Sequence, residues 1–122
     1  MRVGIVGSRR FRNTKAVKDL VANLPEDAIV ISGGCRGPDT WAVEAAKERG
    51  LRVIEHLPKY PMAGSAHWEY TNAYYARNLL IAQDSEVLHA FVAPDRKGGT
   101  ENTIKHAEKL SIPIVIHELV RK

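Results

Sequence analysis

Short, dense apolar runs alternate along this chain with longer stretches of helical spacing. Arg2-Val-Gly-Ile-Val6 is rich in β-branched residues and bounded by Gly7, which predicts a first strand. Asn13 stands where a helix N-cap belongs. Ala16, Val17, Leu20, Val21 and Leu24 then recur at helical spacing until Pro25 ends the run. Ala28 to Ser32 is a continuous apolar run, as expected of a strand buried on both faces. Pro38 suits a first helical position and Gly50 a C′ position, so a second helix is predicted from Asp39 to Arg49. Its face of Trp41, Ala42, Ala45 and Ala46 is mostly small and can lie close on a sheet. Leu51 to Ile54 is a third strand, and His56 to Ala66, with Pro58, Pro61 and Gly64, is a loop. A longer helix is predicted from about Ser65 to Gln83, then a fourth strand over Val87 to Ala93. Pro94 to Gly99 forms its exit loop. Thr100 is the expected cap of a last helix, with Ile104, Ala107 and Leu110 on one face, and Pro113 to His117 is the fifth strand.

Strand–helix alternation of this kind predicts an α/β protein with a mostly parallel sheet covered on both faces. Right-handed crossovers favour a three-layer Rossmann-like fold with five strands in the order 3-2-1-4-5. That order reverses beside strand 1, and ligands of such sheets bind at the reversal, outside the carboxyl ends of the strands. The loops after strands 1, 2 and 4 are expected to meet there: Gly7 to Arg12, Gly33 to Asp39, and Pro94 to Thr100.

Composition narrows the class. With 122 residues, 44% hydrophobic and 26% charged, the chain reads as one globular domain over 1–122. It has no apolar run approaching the roughly 20 residues that span a bilayer, and its start lacks the features of a signal peptide. A single cysteine, Cys35, cannot form an internal disulfide, so a cytoplasmic protein without membrane partners is expected. The formal net charge is +4. Arg9, Arg10, Arg12, Lys15 and Lys18 cluster near the start, and Arg36, Arg77, Arg96 and Lys97 lie in or near the loops, which points to an anionic ligand.

The loops lack the standard nucleotide fingerprints. There is no G-x-x-x-x-G-K-[ST], and the first turn, Gly4-Ile-Val-Gly7, is not G-x-G-x-x-G. Gly33, Gly34 and Gly37 before one helix, and Gly98, Gly99 and Thr100 before another, nonetheless fit phosphate cradles, where backbone N–H groups and a helix dipole face the anion. Ser8 and Thr100 offer hydroxyl donors. Arg9, Arg36 and Arg77 offer charge-assisted ones. Asp39 either accepts from a ribose hydroxyl or serves the helix dipole as a first-turn acid. Trp68, Tyr70, Tyr74 and Tyr75 could stack a base, form a dimer face or simply pack. A nucleophilic role for Cys35 would want a histidine partner, and none is near in sequence. The five histidines show no metal-ligand spacing, and no metal or cofactor is expected.

Gly33-Gly-Cys-Arg-Gly-Pro-Asp39, Arg77-Asn78 and Gly98-Gly-Thr100 resemble the SLOG superfamily, over nearly the whole chain. The start Gly7-Ser-Arg-Arg-Phe11 resembles its small branch with a G-S-R-x-F opening, the YspA- or YpsA-related branch. The superfamily also includes the LOG phosphoribohydrolases and the DNA-processing protein DprA. The resemblance implies a Rossmann-like domain, often dimeric, that binds a nucleotide or nucleotide-derived small molecule. LOG enzymes carry P-G-G-x-G-T-x-x-E after strand 4 and an arginine–lysine pair on the preceding helix. Arg77 matches the arginine, Asn78 stands in place of the lysine, and the catalytic glutamate falls at Thr103. Threonine cannot act as a carboxylate base. Glu101, two residues earlier, points about 200° away on a helix.

Three functions follow in order. The first is binding of a nucleotide or its derivative by Gly7, Ser8, Arg9, Gly33, Gly34, Arg36, Gly37, Asp39, Asn78, Gly98, Gly99, Thr100 and Thr103. The second is cleavage of an N-glycosidic bond with Arg77 and Glu101 as catalytic residues. The third is single-stranded nucleic-acid binding in the manner of DprA, through the basic cluster from Arg9 to Lys18.

Overall fold

The computed structural model describes residues 1–118. Nine elements alternate along them: β1 (Arg2–Gly7), α1 (Thr14–Ala22), β2 (Ile29–Ser32), α2 (Pro38–Glu48), β3 (Arg52–Glu55), α3 (His67–Asp84), β4 (Val87–Phe91), α4 (Gly99–Lys109) and β5 (Ile114–His117). The strands form one sheet in the order β3-β2-β1-β4-β5, with every neighbouring pair parallel. This is the Rossmann-like α/β arrangement that the alternation and crossover handedness predict.

Side chains of the inner strands alternate between two cores, because successive residues of a strand point to opposite faces. Val3, Ile5, Val30 and Phe91 pack with Val17 and Val21 of α1 and with Ala42 and Ala46 of α2. Val6, Ile31, Leu88 and Ala90 pack on the other face with Ile81 and Ala82 of α3 and with Ile104 and Ala107 of α4. β1 lies in the middle and feeds both cores. The chain leaves it towards β2 and β3 on one side, while β4 and β5 lie on the other. The crevice of the fold therefore opens at its carboxyl end.

Local signals account for most of the element ends. Asn13 Oδ1 accepts the Ala16 N–H at 3.1 Å, as an N-cap should. Gly50 follows the C-cap Arg49 with φ of +77°. Several element boundaries differ from the sequence expectation by a residue or two, three helix starts among them. α2 begins at Pro38, with Gly37 as its N-cap. α3 begins at His67, where Glu69 reaches back to the Ala66 N–H at 2.9 Å. α4 begins at Gly99, so Thr100 is not its cap: Gly98, at φ of +110°, turns the chain into the helix instead, in a conformation costly for any other residue. Among the described residues, no helix is long and apolar enough to cross a membrane.

Candidate functional site

The carboxyl ends of β1, β2 and β4 surround a cleft of about 640 Å³. Of the residues named from sequence, Gly7, Ser8, Arg9, Arg36, Asp39, Arg77, Asn78, Gly98, Gly99, Thr100 and Thr103 line it. Gly33, Gly34, Gly37 and Glu101 are not in its lining. Arg10, Cys35, Tyr60, Tyr74, Ile81 and Lys97 complete much of the wall.

Two loops meet at Asp39. One carboxylate oxygen accepts the Gly7 N–H at 3.0 Å and the other accepts the Gly33 N–H at 3.1 Å. The side chain thus ties the end of β1 to the end of β2, from the first turn of α2. The backbone donors at the ends of β1 and β2 find their acceptor in this first-turn acid. Burial pushes its carboxyl up to about 6, opposed by the Gly33 N–H, the Arg77 guanidinium and the Gly7 N–H. In the same corner a Cβ on Gly7 would sit 2.5 Å from the Pro38 ring carbons and 3.0 Å from Phe91 Cβ. Gly7→Ala is therefore expected to force β1 and α2 apart and to destabilise the fold by on the order of 1–3 kcal/mol, read as a lower thermal midpoint. An unchanged midpoint would show that this corner has slack.

Arg77 comes from α3 and is 6% exposed. Its Nη1 donates to Gly33 O at 2.6 Å, its Nη2 to Cys35 Sγ at 3.2 Å and its Nε to Asn78 Oδ1 at 2.9 Å. A Cβ on Gly33 would meet Nη1 at 2.7 Å, so glycine is what admits the guanidinium. Gly37, at φ of +96°, passes close to Arg9, with Arg9 Cα 3.2 Å from where its Cβ would lie. The glycines of the second loop thus shape the wall from behind, while Cys35 and Arg36 face the cleft.

Asn78 extends the network to α4. Its Nδ2 donates to Gly99 O at 3.3 Å and to Asn102 Oδ1 at 3.1 Å. Thr103 Oγ1 donates to the same Gly99 carbonyl at 3.3 Å. The two Asn78 bonds hold the first turn of α4 against α3, and the Thr103 bond lies within α4. The leading N–H groups of α4 receive no side-chain cap, so its N-terminus is an open anion-facing end. Ser8 Oγ accepts the Arg10 N–H at 3.1 Å, which leaves its own proton free to donate.

Glu101 is turned away from this end. Arg96 donates to it in bidentate fashion, at 3.0 Å from both Nε and Nη2. Arg10 pairs with Asp95 across the loops after β1 and β4, and this guanidinium holds the Asp95 carboxyl below its usual range. The cleft lining therefore carries Arg9, Arg10, Arg36, Arg77 and Lys97 against one carboxylate, Asp39.

The aromatic residues divide. Tyr74 lines the cleft, whereas Trp68, Tyr70 and Tyr75 are outside its lining. Tyr60 is a wall residue that sequence reasoning missed. It lies in the long loop after β3, outside the three loops expected to converge, and its one local signal is an aromatic between Pro58 and Pro61. His89 and His117 stack on β4 and β5, away from the cleft lining, and burial lowers both below the ordinary histidine value. Among the described residues, no group of three or more His, Cys, Asp or Glu could hold a metal.

Fold and cleft together define an α/β protein of Rossmann-like architecture with an electropositive crevice at the sheet reversal. Among solved structures the fold is similar to DNA processing protein A (DprA) from Streptococcus pneumoniae, with a TM-score of 0.75 and 22% identity over 94% of this chain and 49% of that one. The chain thus spans about half the length of that DprA chain. It is also similar to the C-terminal domain of a hydrogenase from Pyrococcus furiosus, with a TM-score of 0.52 and 12% identity over 94% of this chain and 89% of that domain. No protein-family model matches the sequence, and no curated protein matches it. The likeness to DprA is one of fold.

Proposed function

We propose that the chain binds a nucleotide or nucleotide-derived ligand in the cleft, with its phosphate at the N-terminus of α4. The observation that carries this reading is a cleft lined by five basic side chains, one buried carboxylate and the uncapped start of α4. Charge-assisted bonds of this kind contribute roughly 1.5–3 kcal/mol each. Turnover is not part of the proposal. Both oxygens of Asp39 accept backbone N–H groups, Glu101 is held by Arg96, and Thr103 spends its hydroxyl on Gly99.

Calorimetric titration with nucleoside phosphates, NAD and ADP-ribose tests the reading. The expected result is a dissociation constant well below about 1 mM for at least one of them, weakened by Lys97→Ala without loss of stability. Millimolar or weaker binding across the set would remove it.

A second reading rests on the DprA-like fold and on the exposed Arg9 and Arg10 of the cleft lining, with exposed Arg12 following them in the chain. It is nucleic-acid binding, which requires affinity for oligonucleotides that falls steeply with added salt. A flat gel-shift titration at low salt would exclude it.

A further inference from the structure

We infer that Tyr60 and Tyr74 form the base-stacking end of the cleft, so that its ligand is a nucleoside phosphate lying with the base against the two rings and the phosphate at α4. This rests on the nucleotide reading above and adds the ligand's orientation and the source of its selectivity.

The two rings are arranged as a platform. Tyr60 and Tyr74 meet edge to face, with centroids 6.0 Å apart and planes at 84°. Such a pair offers one ring face to a third aromatic group while its partner's edge closes the side. Both rings line the cleft, yet Tyr60 is 62% and Tyr74 39% exposed. The core aromatics Phe11 and Phe91, by contrast, are 1% and 0% exposed. The tyrosines therefore leave apolar surface facing the cavity that the chain itself does not cover.

Arg77 sets the direction of the ligand. Its guanidinium carbon lies 5.9 Å from the Tyr74 ring centroid, close enough for a cation–π contact that fixes the ring. Arg77 and Asn78 are adjacent on α3 but reach opposite ways. Arg77 reaches the loop after β2, and Asn78 reaches the start of α4. The tyrosines thus stand on the β2 side of the cleft and the uncapped helix end on the β4 side. A nucleoside phosphate has the same polarity: a flat, apolar base at one end and a compact anion at the other.

Selectivity follows from what surrounds the rings. The cleft lining has one carboxylate, Asp39, and one side-chain amide, Asn78, and both are already bonded, Asp39 to the Gly7 and Gly33 N–H groups and Asn78 to Arg77, Gly99 and Asn102. Stacking tolerates any base because each has a π face. The site is expected to require a base without specifying which one, favouring purines by their larger stacking area.

The experiment is calorimetric titration of the full chain with adenosine 5′-monophosphate, uridine 5′-monophosphate and ribose 5-phosphate. Each is run on the wild type, Tyr60→Ala, Tyr74→Ala and Tyr74→Phe. On the wild type the adenine nucleotide is expected to bind roughly tenfold or more tighter than ribose 5-phosphate, with the uridine nucleotide between them. Both alanine variants should erase most of that advantage while changing ribose 5-phosphate affinity by no more than about twofold, and Tyr74→Phe should retain it. Because both side chains are exposed, the variants are expected to melt with the wild type. Equal affinity for ribose 5-phosphate and the nucleotides, or an advantage that survives both alanine variants, overturns the stacking inference and leaves the anion site standing. Failure of all three probes to bind the wild type, with NAD and ADP-ribose also silent, overturns the nucleotide reading itself, and the stacking end with it.

Discussion

Arg77→Ala is expected to lower the unfolding free energy by about 3 kcal/mol and to abolish nucleotide binding in the cleft. The guanidinium has five N–H donors, and the chain uses three of them on three different acceptors. Gly33 O is the main-chain acceptor, in the loop that also presents Cys35 and Arg36 to the cleft. Truncation leaves Gly33 O and Asn78 Oδ1 without this donor in a buried setting. It also opens a void beside Ile81. It further removes a positive charge that favours the ionised Asp39 carboxylate. These effects share a sign, so the loss should exceed that of a surface arginine such as Arg12. Arg77→Lys is not expected to rescue it, because one ammonium cannot replace a planar fork aimed at acceptors on either side. Urea unfolding of the two variants and the wild type measures the effect through the midpoint at constant slope. A midpoint for Arg77→Ala within error of the wild type would show that the network contributes nothing to stability.

The second large effect concerns pH. Asp39→Asn keeps one acceptor and turns an NH₂ group towards the other backbone donor, which is expected to cost on the order of 1–3 kcal/mol near neutral pH. The size of that gap should depend on pH in a definite direction. Burial raises the Asp39 carboxyl to about 6, so the folded state holds this proton more tightly than the unfolded chain does. The associated stability is complete below the unfolded value of 3.8 and is lost as pH rises through about 6. The amide variant has no such dependence, and the remaining carboxylates cancel in the difference between the two proteins. The stability gap is therefore expected to be wider by about 2 kcal/mol at about pH 4.5 than at about pH 7. Urea midpoints at the two pH values supply the gap, and the ¹³C shift of the Asp39 carboxyl supplies the titration midpoint directly. A gap that stays constant, with a carboxyl titrating near its unfolded value of 3.8, would mean that the two N–H donors and Arg77 balance burial.

Much of the architecture was legible because its signals are local. Asn13, Pro38 and Gly50 act on the backbone within a few residues, and apolar spacing reports which face of an element is buried. Alternation and handedness leave few strand orders, and 3-2-1-4-5, the one favoured among them, is the one observed. The last helix was misplaced for an equally local reason: Thr100 looks like a better cap than Gly98, but the turn needs a positive φ that threonine strongly disfavours. In the site, the loop positions are legible in the sequence, while the bonds that individual side chains make are not. Asp39 and Glu101 are both first-turn acids in the sequence. One is buried against backbone donors and the other is held by a neighbouring arginine, and nothing within a few residues of either distinguishes them.

The sequence by itself determined the element order, the parallel sheet and the placement of glycine-rich turns at its carboxyl edge, because backbone conformation answers to neighbours along the chain. Only the tertiary structure decided which side chains hold the cleft and which face into it. Asp39 bonds Gly7 across 32 positions, and Arg77 bonds Gly33 across 44. Tyr60 and Tyr74 meet only because the loop after β3 folds back over α3. Such partners are chosen by packing and by the need to satisfy buried donors and acceptors, and those conditions exist only once the strands are side by side.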